Sequence, residues 1–443
     1  MKSAFSNTDA NNTQSNQALA ALLEKKGALS RQIGEHKKSG LSCDRLIEEM
    51  QDISRQIKQL QSKPTAHTQN AIYTEPSSFR SLPAHFNPSL QIQEEVTGLN
   101  IVIHLATDLE DSIRWNTFVE SHSQASAYHR FEFKKIIEQS FGQSTIYFMA
   151  LDQTHNVLGI LPCVFTQSRL FGCYCTSLPF FNYGGVLAVN DHAEAALVDA
   201  AVAITRQRRG KHLELRETQP RANLPCRSDK VSMILNLPKQ SETLWQAIGS
   251  KVRAQIKKGE SHGFEFKTGQ IDLLDDFYRV FSINMRDLGT PVYAKRFFRT
   301  LLTQLPKHST LAVLYYKNQP VSGGFLLGYR DTLEIPWAST LKTANHLNAN
   351  MVFYWQVLQF AIQNRYVFFD FGRSSKDAPT YRFKKQWGSE EVQLYWSYPW
   401  LANNELPSLN PGNAKYQLAI TMWKKLPLWL SKILGPGIVK NLP

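Results

Sequence analysis

The run Phe369-Asp370-Phe371-Gly372-Arg373-Ser374 carries an apolar strand pattern into a glycine-containing loop, and Tyr381-Arg382-Phe383-Lys384-Lys385 follows soon after. A carboxylate at a strand end either takes a proton in a reaction or fixes the loop as a capping acceptor, and both readings stand for Asp370. Lys251, Arg253, Lys257 and Lys258 are set among Trp245, Ile248, Val252 and Ile256, whose three-and-four spacing marks one buried helix face. The cations therefore project away from that face, either as a solvated surface or toward the phosphates of a nucleotide, a lipid pyrophosphate or a tRNA backbone. Asn284, Arg286, Asp287, Gly289 and Thr290 form the polar end of an apolar helix. Termination accounts for Gly289 and for Pro291 after it; Arg286 and Asp287 are left as candidates for an acceptor site, with Asp287 a second acid–base candidate beside Asp370. Glu334, Trp337 and Ser339 on one strand fit a pocket wall or plain sheet packing. Asn182, Tyr183, Gly184 and Gly185 either bring backbone amides to a ligand or make a tight turn.

Elements must hold these residues in place. From Leu99 onward short β-rich runs alternate with amphipathic helices. The pattern predicts strands at 99–105, 145–151, 157–167 and 211–217, with helices around 110–139 and 191–208. A second series has strands at 231–237, 310–316, 320–329, 332–338 and 366–372, with helices across 242–261, 272–304 and 347–364. YFMALDQTHNVLGILPCVF parallels LAVLYYKNQPVSGGFLLGY, and AVAITRQRRGKHLELRE parallels LQFAIQNRYVFFDFGR, which indicates a degenerate internal duplication. Upstream, Leu19, Leu22, Leu29 and Ile33, then Leu46, Met50, Ile53, Ile57 and Leu60, make two apolar seams that can close as an antiparallel helical hairpin.

Composition bounds the class. With 443 residues, 42% hydrophobic, 20% charged and a formal net charge of +13, the chain is neither disordered, collagenous nor a polytopic membrane protein. Five scattered cysteines suit neither a disulfide framework nor a metal site and are expected to be ordinary thiols. The amino terminus lacks a signal-like apolar core and no run approaches the roughly 20 apolar residues of a span, so a cytoplasmic location is expected. No GxSxG elbow, Walker loop or Rossmann fingerprint occurs in a credible setting. The absence of a nucleophile triad is no objection to acyl transfer, since an amine attacking an activated ester needs orientation, a proton acceptor and oxyanion stabilisation.

The β, two helices, three antiparallel strands, α, β order resembles the GNAT acyltransferase fold. LPFFNYGGVL (178–187), KVRAQIKKGESHGF (251–264), NMRDLGTPVYAKRFF (284–298), FLLGYRDTLEIPWASTL (325–341), NANMVFYWQVL (348–358) and FDFGRSSKDAPTYRFKKQWG (369–388) closely resemble the FemAB-related proteins associated with the exosortase/PEP-CTERM system. The resemblance spans about Leu99 to Pro399. It implies an acyltransferase; the wider Fem family moves amino acids from aminoacyl-tRNA onto peptidoglycan precursors, and the exosortase branch is linked with exopolysaccharide production. Carried over from the family's FK motif, a role near the end of the acyl donor falls on Lys384, stabilising the oxyanion or binding donor phosphate, with Lys385 beside it. Arg373 and Tyr381 belong to the same motif region and are expected at the substrate. A clear R/Q-x-x-G-x-G/A loop is missing, which weakens the case for CoA without removing it. ALLEKKGALSRQIGEHKKSG and EEMQDISRQIKQLQ resemble the tRNA-binding arm of seryl-tRNA synthetase, but no synthetase catalytic motifs follow in this sequence, so serine charging is not expected.

The expected fold is α/β (α+β): tandem GNAT-like acyl-CoA N-acyltransferase domains preceded by an antiparallel helical hairpin. The divisions are a disordered tail at 1–15, the arm at 16–62, a linker at 63–98, domains at 99–230 and 231–400, and a basic, aromatic segment at 401–443. From Gly412 onward that last segment has five lysines and no acid, and an apolar side carrying Trp423, Leu426, Trp429, Leu430 and Ile433. It either packs on the catalytic body or docks on an anionic membrane. No metal or permanently bound cofactor is expected; acyl-CoA or aminoacyl-tRNA is the donor, and an amine of an envelope glycan or lipid-linked precursor the acceptor. A peptidoglycan-directed transferase and a non-catalytic tRNA- or polyanion-binding scaffold are the competing readings, with tRNA contact through the arm.

Overall fold

Local signals start and stop the helices. Asp108 caps one by accepting the Asp111 amide at 2.9 Å, Asn190 caps another by accepting from Ala193, and Gly289 ends a third in the left-handed region at φ +81°. A computed structural model describes scattered positions between Lys25 and Gln56, the backbone of Ser89–Gln91, and residues 101–441 apart from 169, 170, 222, 404 and 408–413. For residues 414–417 too it describes only the backbone. The chain divides into two units, Met1–Leu82 and Pro83–Pro443. In the first, the described positions are helical, Leu29 and Ile53 are buried, and Lys25 pairs with Glu49 at 3.3 Å. The rest of the expected tail, arm and linker lies outside the described residues, except for the short strand within 89–91.

The second unit begins with β1 (Ser89–Gln91), β2 (Val102–Leu105), α1 (Leu109–Ser121), α2 (Glu132–Phe141), β3 (Ser144–Leu151), β4 (Val157–Ser168), β5 (Gly172–Thr176), β6 (Leu187–Ala188), α3 (Asp191–Gln207), β7 (His212–Glu217) and β8 (Cys226–Arg227). There follow β9 (Lys230–Asn236), α4 (Ser241–Ala247), α5 (Ser250–Glu260), β10 (Glu265–Gly269), α6 (Leu274–Leu288), α7 (Lys295–Gln304), β11 (Ser309–Tyr316), β12 (Gln319–Tyr329), β13 (Thr332–Thr340) and α8 (Ala349–Gln363). The chain continues with β14 (Phe368–Ser375), α9 (Pro379–Lys385), β15 (Glu390–Gln393), β16 (Tyr395–Leu401), α10 (Ala414–Lys424) and α11 (Leu428–Val439). Two sheets result, β1-β2-β3-β4-β5-β7-β16-β8 with β6 on β4, and β10-β11-β12-β13-β14-β9-β15.

The duplication is visible element by element. The series β2-α1-α2-β3-β4-β5-α3-β7 recurs as β10-α6-α7-β11-β12-β13-α8-β14. Each sheet has one parallel pair, β5 with β7 and β13 with β14. The second series therefore starts at β10 and not, as its hydropathy suggests, at 231–237. That strand, β9, lies antiparallel between β14 and β15. Likewise β16, which the sequence assigns to the second domain, runs beside β7 in the first sheet. The exchange links the two sheets through the backbone.

Between them lies one apolar core in which both domains share. Phe141 and Phe181 from the first meet Phe297 from the second, with ring centroids 4.9 and 6.1 Å apart, and Trp337 stands edge-on to Phe297 at 5.4 Å. α3 covers the outer face of the first sheet; α5 and α8 cover that of the second. Cys163, Cys173, Cys175 and Cys226 are free thiols. Among the described residues no helix is long and apolar enough to cross a membrane. Phe297 has no solvent exposure, so Phe297→Ala should cost about 3–5 kcal/mol. Calorimetry should find one cooperative transition moved to lower temperature; two transitions, only one of them shifted, would contradict a shared core.

Candidate active site

Strands β13 and β14 pair in parallel only over Thr332–Glu334 and Phe368–Asp370, and the last pair in register is Glu334 with Asp370. Beyond it β14 shifts register and continues against β9, so the two strands part where the carboxylates stand. Alternation sends Leu333, Ile335, Phe369 and Phe371 to the outer core under α5 and α8, and turns Glu334 and Asp370 toward the first domain. Both acids are buried.

Donors from three elements meet them. Tyr183 donates its hydroxyl to Asp370 Oδ2 at 2.6 Å, while Ser232 Oγ and the Gly372 amide donate to Oδ1 at 2.6 and 2.7 Å. Three donors on one side chain are the pattern of a carboxylate acting as acceptor. Asn182 Nδ2 donates to Glu334 Oε1 at 2.6 Å, and Tyr128 lies against the same acid. Burial, then the neighbouring Asp370 charge, pushes the Glu334 carboxyl well above its usual range. Burial likewise raises the Tyr128 and Tyr183 hydroxyls, reinforced by these acids.

Lys384 sits on α9, directly after β14. Its ammonium donates to the Gly372 and Arg373 carbonyls at 2.8 and 2.9 Å, which leaves one N–H uncommitted. Burial brings its pKa down to about 8, against the opposing pull of Asp370 and Glu334. Gly372 sits where β14 shifts register against β9, at φ +75°, a conformation that favours glycine. Alongside runs a cleft of about 210 Å³ lined by Tyr183, Gly184, Gly185, Arg216, Glu217 and Arg221. A Cβ at Gly185 would sit 2.3 Å from Glu217 Cγ, so that position serves a close approach of segments.

The structure thus gathers Glu334, Asp370, Arg373 and Lys384, and it separates the other sequence candidates from them. Asp287 is paired with Arg286 at 2.7 Å at the end of α6, where Arg286 also donates to the Leu426 carbonyl. Asn284 donates to Ser339 Oγ at 3.0 Å, farther along β13. Trp337 packs among Phe181, Tyr293, Phe297, Phe298 and Phe325 as part of the shared core. Tyr381 donates to Glu391 and accepts from Lys385 at 3.1 Å, a cluster of its own between α9 and β15. Lys251, Arg253, Lys257 and Lys258 ride on α5, across the sheet from the acids. Arg253 there donates to the Trp245 and Gln246 carbonyls, both at 3.2 Å, and so closes the end of α4. Sequence reasoning passed over Tyr128, Ser232 and Arg216, none of which carries a local signal. Among the described residues no cluster of His, Cys, Asp or Glu could hold a metal.

Residues 249–385 match the acetyltransferase (GNAT) domain family. No curated protein matches the chain. Among solved structures the chain is similar to the crystal structure of FemX, with a TM-score of 0.51 and 12% identity over 66% of this chain and 96% of that one. It is also similar to the C-terminal domain of a putative lysylphosphatidylglycerol synthetase from Agrobacterium fabrum, with a TM-score of 0.47 and 11% identity over 66% of this chain and 93% of that one. A tandem GNAT protein from the clavulanic acid pathway gives a TM-score of 0.45 and 11% identity over 70% of this chain and 100% of that one. The match to 249–385 covers the parting strands, both acids and Lys384, and on it the chain is an acyltransferase with a GNAT domain.

Proposed function

We propose that the protein transfers an acyl or aminoacyl group to an amine of an envelope glycan or lipid-linked precursor, in envelope or exopolysaccharide biogenesis. The observation that carries this reading is the opening between β13 and β14, with the buried Asp370 and Glu334 at its closed end and the Lys384 ammonium beside it. In the transfer the amine nitrogen bonds to the acyl carbon, and the bond from that carbon to the donor's sulfur or ribose oxygen breaks. Asp370 takes the amine proton, and the leaving group is protonated in turn. The uncommitted N–H of Lys384 stabilises the oxyanion. Acyl-CoA is the donor that a GNAT domain suggests; aminoacyl-tRNA is the alternative, favoured by the arm's resemblance to the tRNA-binding hairpin.

The carboxyl-terminal helices supply a membrane contact on this reading. One side of them packs on α6: Ser431, Gly435 and Val439 are buried, and a Cβ at Gly435 would stand 2.7 Å from the Val292 amide nitrogen. The other side leaves Leu418, Met422, Trp429 and Ile433 63–66% exposed, with Lys424, Lys425 and Lys440 exposed around them. Apolar side chains ringed by lysines, with no acid after Gly412, fit the headgroup region of an anionic leaflet.

Labelled acyl-CoAs and aminoacyl-tRNAs, incubated with the protein and an envelope extract, should pass label to an amine from one donor class. Lys384→Ala should lower that transfer by about two orders of magnitude. Lys385→Ala, at an exposed position, should be mild. The ammonium is present below a pKa of about 8 and lost above it, so with saturating acceptor the rate should fall as pH rises through about 8. Lys384→Arg should move that limb upward. An unchanged rate in Lys384→Ala would remove the role.

Vesicle flotation checks the membrane contact. The protein should float with phosphatidylglycerol vesicles and stay behind with phosphatidylcholine, and a Trp429→Asp/Ile433→Asp double variant should fold normally but no longer float. Equal flotation of the double variant would sink the assignment.

A further inference from the structure

Trp396, on β16, is the register partner of Arg216 on β7 at one side and of Arg227 on β8 at the other. The two guanidinium carbons lie 4.4 and 5.6 Å from its ring centre, and Arg373, arriving from β14 of the other sheet, lies 5.0 Å from it. Three guanidiniums on one indole are a concentration of positive charge that needs anions. Glu214 at 2.7 Å answers Arg216, and Asp229 at 3.2 Å answers Arg227 while also pairing with Lys230. Among the described residues the Arg373 side chain has no hydrogen-bond acceptor or ion pair; the like charge of Arg216 opposes its own, while Glu214 and Asp229, each already paired with another arginine, favour it without contact. The indole adds a second, independent deficit, since Trp396 is 9% exposed and its buried Nε1 donor has no acceptor among the described residues. A buried donor without a partner is costly unless something fills the place.

We infer that Arg373 and Trp396, backed by Arg216 and Arg227, bind a phosphoryl or diphosphate group of a substrate. The fork of a guanidinium matches phosphate oxygens bidentately, and the neighbouring arginines supply a field that a neutral ligand would not need. The location gives this a use that rests on the proposed transfer. Arg373 follows Asp370 on the same strand, its carbonyl is held by Lys384 at 2.9 Å, and Arg216 lines the adjoining cleft. A substrate anchored there by its phosphate would present its reacting end near the acids. Both a CoA donor and a nucleotide- or lipid-diphosphate acceptor carry that group.

Calorimetric titration of the full-length protein with inorganic diphosphate reads the site without turnover. Saturable binding is expected, weakening with salt. Arg373→Ala, at a side chain with no described polar partner, should weaken it at least tenfold, with Arg373→Lys intermediate. Trp396→Phe keeps the ring and loses the donor, and should weaken it several-fold. Lys239→Ala, removing one exposed charge elsewhere, should leave it unchanged. Displacement by coenzyme A would assign the site to the donor, and displacement by uridine diphosphate to the acceptor. Equal affinity in Arg373→Ala, or acetate binding as well as diphosphate, would overturn the assignment. A protein that binds diphosphate through Arg373 and transfers no acyl group would refute the proposed function and leave this site standing.

Discussion

Two carboxyl groups held side by side in a dry interface constrain everything around them. Glu334 and Asp370 are register partners on adjacent strands, and neither can stay buried without donors. The second domain supplies Ser232 and the Gly372 amide, and the first supplies Asn182 and Tyr183. Each such donor left unpaired would cost roughly 1–3 kcal/mol, a large share of a typical domain's stability. The chemistry and the docking of the domains are therefore one problem with one solution. A separated second domain would expose the acids to water and relax the burial that raises the Glu334 carboxyl and lowers the Lys384 ammonium.

Duplication makes the asymmetry of the two halves instructive. In the first sheet the last parallel pair is Thr176 with Glu214, which by position corresponds to Glu334 with Asp370. There a threonine replaces one acid, so no carboxyl pair arises. Glu214 is neutralised by Arg216 at 2.7 Å and by the Tyr398 hydroxyl at 2.6 Å, and these two partners hold its carboxyl below its ordinary range despite burial. One copy of the motif is thus locked as an ion pair and the other keeps two buried carboxyl groups side by side. The family match falls on the second copy, the one that carries Lys384.

Much of this was legible in the sequence, for reasons that differ by element. Amphipathic helices and long apolar strands such as β12 declare themselves by period, and the repeat is seen because hairpins keep their local order. Asp370, Arg373 and Lys384 stand close together in the chain, so one segment betrays them. Asn182 and Tyr183 reach their acids from 152 and 187 positions away, and no spacing rule connects such residues. The exchange of β9 and β16 was illegible for the same reason, because an apolar strand does not say which edge it will cover. An acid at a helix end looks the same in sequence whether free or paired, and the structure pairs Asp287 with Arg286. An aromatic residue on a pocket-like strand also suits a core, and Trp337 stands edge-on to Phe297 there.

The raised proton affinity of the buried Glu334 is the claim on which the others rest, and infrared spectroscopy tests it directly. Difference spectra of the wild type and Glu334→Gln at neutral pH, with carboxyl-labelled glutamate, should contain a protonated carboxylic acid band that vanishes in the variant. Because the substituted amide oxygen can still accept from Asn182, folding should persist. If the wild type has only ionised carboxylate bands at neutral pH, and that acid protonates near the ordinary glutamate value of about 4.3, the buried pair does not exist as described.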